Sequence, residues 1–189
     1  VKLRSRRIRI LDFDCESRPL GWLGPDHVHQ EITVIGWKWI GEPGEVEVRA
    51  LSRDDRSRRS MLQAFRKEYD RADMVCRHYI RNYDLPLVNA MLVELDEPPL
   101  GWKLTQDTKN DLPPMKGISK SQENLAEMLG VEEPKLHMNV PRWREANRLT
   151  RIGVEKGVER AVFDVLQNIA LRQALIDRDL LGPPKVWRP

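Results

Sequence analysis

Closely placed acids at the end of an apolar run are the first feature of this sequence that could do chemistry. In Ile8-Arg9-Ile10-Leu11-Asp12-Phe13-Asp14-Cys15-Glu16-Ser17, the alternation of a β-strand puts Asp14 and Glu16 on one face and Phe13 and Cys15 on the other. Two carboxylates so close repel each other unless a cation neutralises them. Ligands that offer only oxygen favour Mg²⁺ or Mn²⁺. Such a pair alone is also what a solvated strand end looks like, so a metal site needs further acids. Asp84, after the fourth expected strand, and Asp164, in the last expected helix, are placed to supply them, with Asp107 at the end of a possible fifth strand as a further choice. Each has an ordinary explanation too: an Asp at a helix start is favoured by the helix macrodipole alone.

The elements that must position these acids follow from periodicity. Residues 19–26 have loop chemistry. Residues 31–40 form a strong strand pattern, Gly41-Glu42-Pro43-Gly44 turns it, and 46–51 alternate as the next strand, so the chain opens with a three-stranded antiparallel meander. Residues 60–70 carry apolar side chains at helical spacing. Residues 73–79 read as a short strand, 84–94 as a helix that tolerates Pro86 in its first turn, and 102–108 as one more strand. Ser121 opens a helix that runs to Leu129, and 131–147 is polar and irregular. The last helix starts near Thr150 and ends before Gly182-Pro183-Pro184. Strands joined first by hairpins and then through helices predict an α/β fold, its mixed sheet covered by helices on both faces.

Composition bounds the rest. A chain of 189 residues fits one domain, 1–189, with a sizeable core. Hydrophobic residues make up 40% and charged residues 32%, the balance of a soluble globular protein; no apolar run approaches the roughly 20 residues of a membrane span, and no secretory leader pattern is present. A cytoplasmic location is the expectation. Cys15 and Cys76 sit in apolar strand patterns and read as small, buried, reduced residues. The net charge of +3 and pI near 9.0 permit a polyanion partner, with basic stretches at 2–9, 53–59 and 142–151. His27, His29 and His137 lack metal-ligand spacing and read as loop residues. Trp37 and Trp39 share one strand face and read as core.

Taken together, Asp14-x-Glu16, Asp84 and Asp164 resemble the DEDD (DnaQ-like) superfamily of 3′–5′ exonucleases, whose fold is ribonuclease H-like. The first motif of that superfamily is an apolar strand ending Asp-x-Glu-Thr; here it is Phe13-Asp14-Cys15-Glu16-Ser17. The second reads Gly-His-Asn-Ile-x-x-Phe-Asp-Leu-Pro, against Arg77-His78-Tyr79-Ile80-Arg81-Asn82-Tyr83-Asp84-Leu85-Pro86 here. The third ends Tyr-Cys-x-x-Asp-Val, against Arg160-Ala161-Val162-Phe163-Asp164-Val165. The stretch Ser121-Gln122-Glu123-Asn124-Leu125-Ala126-Glu127-Met128-Leu129-Gly130 is similar to the helix before the third motif in proofreading domains of family-B polymerases. Two departures stand out. Tyr79 replaces the Asn of the second motif, and Arg160 and Glu159 occupy the places where the superfamily has a Tyr or a His to activate water.

The resemblance implies two metal ions, Mg²⁺ or Mn²⁺, about 3.5–4 Å apart. Asp14 would bridge them, Glu16 and Asp164 would complete the water-activating site, and Asp84 would serve the leaving-group side. Arg cannot accept a proton, so Glu159 is the candidate base. On a continuous helix it lies about 140° from Asp164, whereas Arg160 lies about 40° away, so Glu159 needs a bend near Gly157. Arg160 is a candidate phosphate contact, and His78, Tyr79, Asn82 and Tyr83 are candidates for holding terminal nucleotides. The implied activity is that of a stand-alone 3′–5′ exonuclease on the single-stranded or frayed 3′ end of DNA or RNA, with a separate polymerase or repair complex as a partner. A ribonuclease H-like endonuclease, or a degenerate nuclease fold acting as a nucleic-acid or polymerase-binding module, remains open beside it.

Overall fold

The computed structural model describes residues 8–20, 30–51, 58–132 and 136–189. Most of the basic stretches at 2–9 and 53–59, with His27 and His29, lie outside the described residues.

The central strand is β1, Ile10–Pro19, and every residue from Leu11 to Glu16 is buried. Burial on both sides is what a strand covered by two layers requires. On one side β1 pairs antiparallel with β2, Gln30–Trp39, which pairs antiparallel with β3, Glu47–Ala50. On the other side β1 runs parallel to β4, Met74–Arg77, and β4 parallel to β5, Lys103–Asp107. The meander and the mixed sheet are as the sequence predicts. A sixth strand, β6, Lys185–Trp187, closes the order β3-β2-β1-β4-β5-β6 by pairing antiparallel with β5. This is the ribonuclease H-like α/β architecture.

Two layers of helix cover the sheet. Beneath one face lie α1, Arg58–Arg71, and α2, Asp84–Glu94. Leu11, Phe13, Trp37, Leu62, Phe65 and Tyr69 share the core they enclose, and the Phe13 and Phe65 rings lie 4.6 Å apart. Trp37 is buried in that core and Trp39 packs against it, in line with the core reading of both. Cys15 and Cys76 are free thiols buried in the sheet.

The opposite face carries α5, Arg151–Ile176. Its buried positions include Gly153, Gly157, Ala161, Asp164, Asn168, Leu171 and Leu175, a spacing of three and four that makes one continuous stripe. The Thr150 hydroxyl caps it by accepting the Gly153 N–H at 3.1 Å. Two glycines let it settle. A Cβ on Gly157 would come within 3.2 Å of the Val34 side chain, and one on Gly153 would run into the Glu145 carbonyl. Gly153 thus lets α4, Val140–Asn147, cross the start of α5. A second small core of Leu112, Leu125, Leu171 and Leu175 joins the far part of α5 to α3, Gln122–Met128.

The helix α4 corrects the expectation that 131–147 is irregular. None of its residues is buried, so it leaves no apolar stripe to read. It is set instead by Asn139, whose side chain accepts the Arg142 N–H at 3.0 Å, and by Pro141 in the first turn.

Candidate functional site

The second face of β1 carries Asp12, Asp14 and Glu16, none more than 8% exposed. A β-bulge between Glu16 and Ser17 bends the strand just beyond them. The parallel strand β4 ends beside β1, and the α5 stripe lies over both. Asp14, Glu16 and Asp164 each bring a carboxylate oxygen within 4.8 Å of the others. Asp84, at the start of α2, is buried beside them, and its carboxylate accepts the backbone N–H of Cys15 as well as its own. All four acids line one cavity of about 420 Å³. This is where α/β sheets place ligands, at the carboxyl ends of parallel strands.

Two arginines stand among these acids. Arg77, the last residue of β4, pairs with Asp14, donates to the Asp164 carbonyl at 2.8 Å, and lies 4.0 Å from the Asp164 carboxylate. Arg160, one turn before Asp164 on α5, donates to Glu16 at 2.6 Å and sits 3.4 Å from Asp164. Its guanidinium also lies 5.1 Å from the Trp143 ring of α4. Burial works against the charge on both guanidiniums, but the surrounding carboxylates outweigh it and hold both cationic. Four ionised carboxylates against two guanidiniums would leave two negative charges in a buried space.

The acids register that imbalance. Burial, then Asp14, push Glu16 up to about 8 despite the opposing pull of Arg160. Burial likewise lifts Asp84 well above the carboxylate range, against the pull of Arg77. Asp164 keeps one buried oxygen, Oδ1, with no hydrogen-bond partner among the described residues. An unsatisfied carboxylate oxygen, oxygen-only donors and residual negative charge fit a hard divalent cation. Asp14, Glu16 and Asp164 would hold it.

The structure brings most of the sequence-predicted residues to this cavity. His78, Tyr79, Tyr83 and Arg160 line it. His78 is bonded through Nδ1 to Thr108 at 3.1 Å. Tyr79 takes a left-handed backbone conformation, φ 65°, fixed by its N–H donating to Asp107 at 2.9 Å. Tyr83 bonds Ser17 and Gln30 across the strand end. Asn82 does not reach the cavity; it accepts from Asn110 at the surface. Asp107 is no ligand either, because its carboxylate is spent on the N–H groups of Tyr79, Lys109 and Asn110.

Glu159 is a correction. The helix α5 runs without interruption from Arg151 to Ile176, so the bend that would carry Glu159 inward is absent. Its side chain pairs with Lys156 one turn away and is 39% exposed. The same continuity turns Arg160 into the site.

Several residues at the site were not singled out from sequence. Arg77 replaces the Gly of the second motif, and a charge closing an apolar strand was its only signal. Gln122 of α3 donates to the Asp164 carbonyl at 3.1 Å. Trp143 and Lys109 stand at the rim, Lys109 with its ammonium 4.0 Å from the Tyr79 ring. Below the acids, Asn168 donates to Asp12 and accepts from Thr108 at 2.7 Å, so a buried polar chain runs from Asp12 to His78.

No protein-family model and no curated protein matches the sequence. Among solved structures, the family B DNA polymerase from the hyperthermophilic archaeon Pyrobaculum calidifontis is similar, with a TM-score of 0.65 and 18% identity over 90% of this chain. The similarity spans 25% of the polymerase chain. Among the described residues, no helix is long and apolar enough to cross a membrane. At this identity the likeness is one of fold: this chain has the architecture of one region of a family B DNA polymerase.

Proposed function

We propose that the chain is a metal-dependent phosphodiester hydrolase that removes nucleotides from the 3′ end of single-stranded or frayed DNA or RNA. The observation that carries this reading is the convergence of Asp14, Glu16, Asp84 and Asp164 on one cavity at the end of β1, in a fold shared with a DNA polymerase chain. When bound, Mg²⁺ or Mn²⁺ supplies charge stabilisation and a more acidic water. Asp14, Glu16 and Asp164 hold the charge that such an ion balances. Arg160, at the mouth of the cavity, is placed to meet a phosphoryl oxygen. Tyr79 and Tyr83 are exposed at 37% and 40%, and with Trp143 they offer ring faces on which the last bases stack. Lys109 beside them adds a phosphate contact.

A base of the Tyr or His kind is missing from the α5 face, where Arg160 stands. A positioned base contributes about 10²–10⁴-fold, so turnover should be slow. The test is incubation of 5′-labelled single-stranded DNA and RNA with Mg²⁺ or Mn²⁺. A ladder shortening from the 3′ end that vanishes in Asp14→Ala is expected. A single internal cut would move the assignment to an endonuclease. The pairing of Arg77 and Arg160 with the acids favours a second reading, a nuclease fold that binds nucleic acid or a polymerase without cutting. Absence of cleavage together with retained binding of single-stranded nucleic acid would select it.

A further inference from the structure

We infer that Arg77 is a built-in cation that takes the place of one divalent ion, so that the centre holds a single Mg²⁺ or Mn²⁺. This rests on the metal-dependent reading above but makes a separate claim about the number of ions.

Position comes first. Arg77 closes the buried strand β4, and its side chain, 7% exposed, is held in the cavity wall by Asp14. Its guanidinium touches Asp14 and the Asp164 carbonyl and lies 4.0 Å from the Asp164 carboxylate. It is therefore a fixed cation beside Asp14 and Asp164. Among the described residues, the acids whose oxygens cluster closely enough to share an ion are Asp14, Glu16 and Asp164, without Asp84. The buried Asp164 Oδ1 without a hydrogen-bond partner belongs to that same trio.

Charge gives the same count. With the four acids ionised, Arg77 and Arg160 leave two negative charges, which one divalent ion cancels. Two ions would leave two positive charges in a buried site before any substrate arrives, at a large desolvation cost. Arg160 is the less fixed of the pair, at 17% exposed on the rim, and can swing toward a substrate. Arg77 cannot. A glycine at position 77 would remove both the charge and the bulk.

Mn²⁺ titration of the metal-free chain, followed by calorimetry and by electron paramagnetic resonance, tests this without recourse to activity. The native chain should bind one Mn²⁺ with the spectrum of an isolated ion. Arg77→Gly should bind two, with the broadened signal of a coupled pair. Arg77→Gln, which keeps bulk but loses charge, guards against a glycine variant that fails to fold and should also gain the second ion. Arg77→Lys should stay at one. A native count other than one, or an unchanged count in both folded neutral variants, overturns the inference. A native count of two with a 3′ ladder would leave the nuclease reading intact and remove this one. One ion without cleavage would do the reverse.

Discussion

The two faces of β1 are equally buried and neutralised by opposite means. Leu11, Phe13 and Cys15 need no partner beyond contact: they lose water and gain the aromatic cluster of Phe65, Tyr69 and Trp37. Asp12, Asp14 and Glu16 on the other face lose as much water, and each needs its own device. Asp12 takes the Asn168 amide and a retained proton, Asp14 takes Arg77, and Glu16 takes Arg160. Ion pairs in such places recover little of what desolvation costs. The apolar face therefore supplies stability, while the acidic face consumes some of it.

The sharpest break of that contrast is Phe13→Ala. Removing a fully buried ring from the centre of the core should cost about 3–5 kcal/mol, read as a lower urea midpoint. The acids face the other way, so the Mn²⁺ count of the folded variant should not change. A loss under about 1 kcal/mol, or a changed count, would show that the two faces are not independent.

The next effect belongs to pH. Burial pushes Asp12 up to about 8, with Asp14 adding to the push and Arg77 and Asn168 opposing it. In the unfolded chain the same carboxyl releases its proton near about 4. Between those values the folded state binds the extra proton, so its stabilising effect is complete below about pH 4 and lost as pH rises through about 8. For one proton the slope is about 1.4 kcal/mol per pH unit. Asp12→Asn keeps an acceptor for Asn168 but no titrating group. Stability of the metal-free variant between pH 5 and 8 should fall less steeply than that of the native chain. Parallel slopes would place the proton on another group.

The contrast also explains what the sequence made legible. Alternation alone puts Asp14 and Glu16 opposite Phe13, because period two is local and β1 is regular up to its bulge. Helical phase alone decides between Arg160 and Glu159 once α5 is known to be unbroken, and continuity was the one fact the sequence around Gly157 left undecided. Arg77 was harder. Its meaning depends on β4 lying beside β1, a pairing of residues more than 60 positions apart. Strand β6 has three residues and owes its form to β5, through bonds such as Thr105 Oγ1 to the Lys185 carbonyl at 2.9 Å. The helix α4 buries nothing completely, so hydrophobic periodicity, the main signal available, is silent there.

The smallest expected change in stability concerns that helix. Trp143 is half-buried at the rim, one face near Arg160, and belongs to neither face of β1. Trp143→Ala should cost only about 0.5–1 kcal/mol through the lost cation–π contact. Binding should suffer more, because stacking of one base on an aromatic ring is worth about 1–3 kcal/mol. Affinity for a short single-stranded oligonucleotide, measured by fluorescence anisotropy in the Asp14→Ala background, should fall by about 5- to 150-fold on that scale. The Mn²⁺ count should stay the same in the otherwise native chain, since no acid depends on the indole. Unchanged affinity would mean that the bases do not pass over α4, and that Tyr79 and Tyr83 alone present the stacking surface. Release of Arg160 with loss of Glu16 pairing would instead show that the indole holds the guanidinium in the site, tying the rim to the acidic face after all.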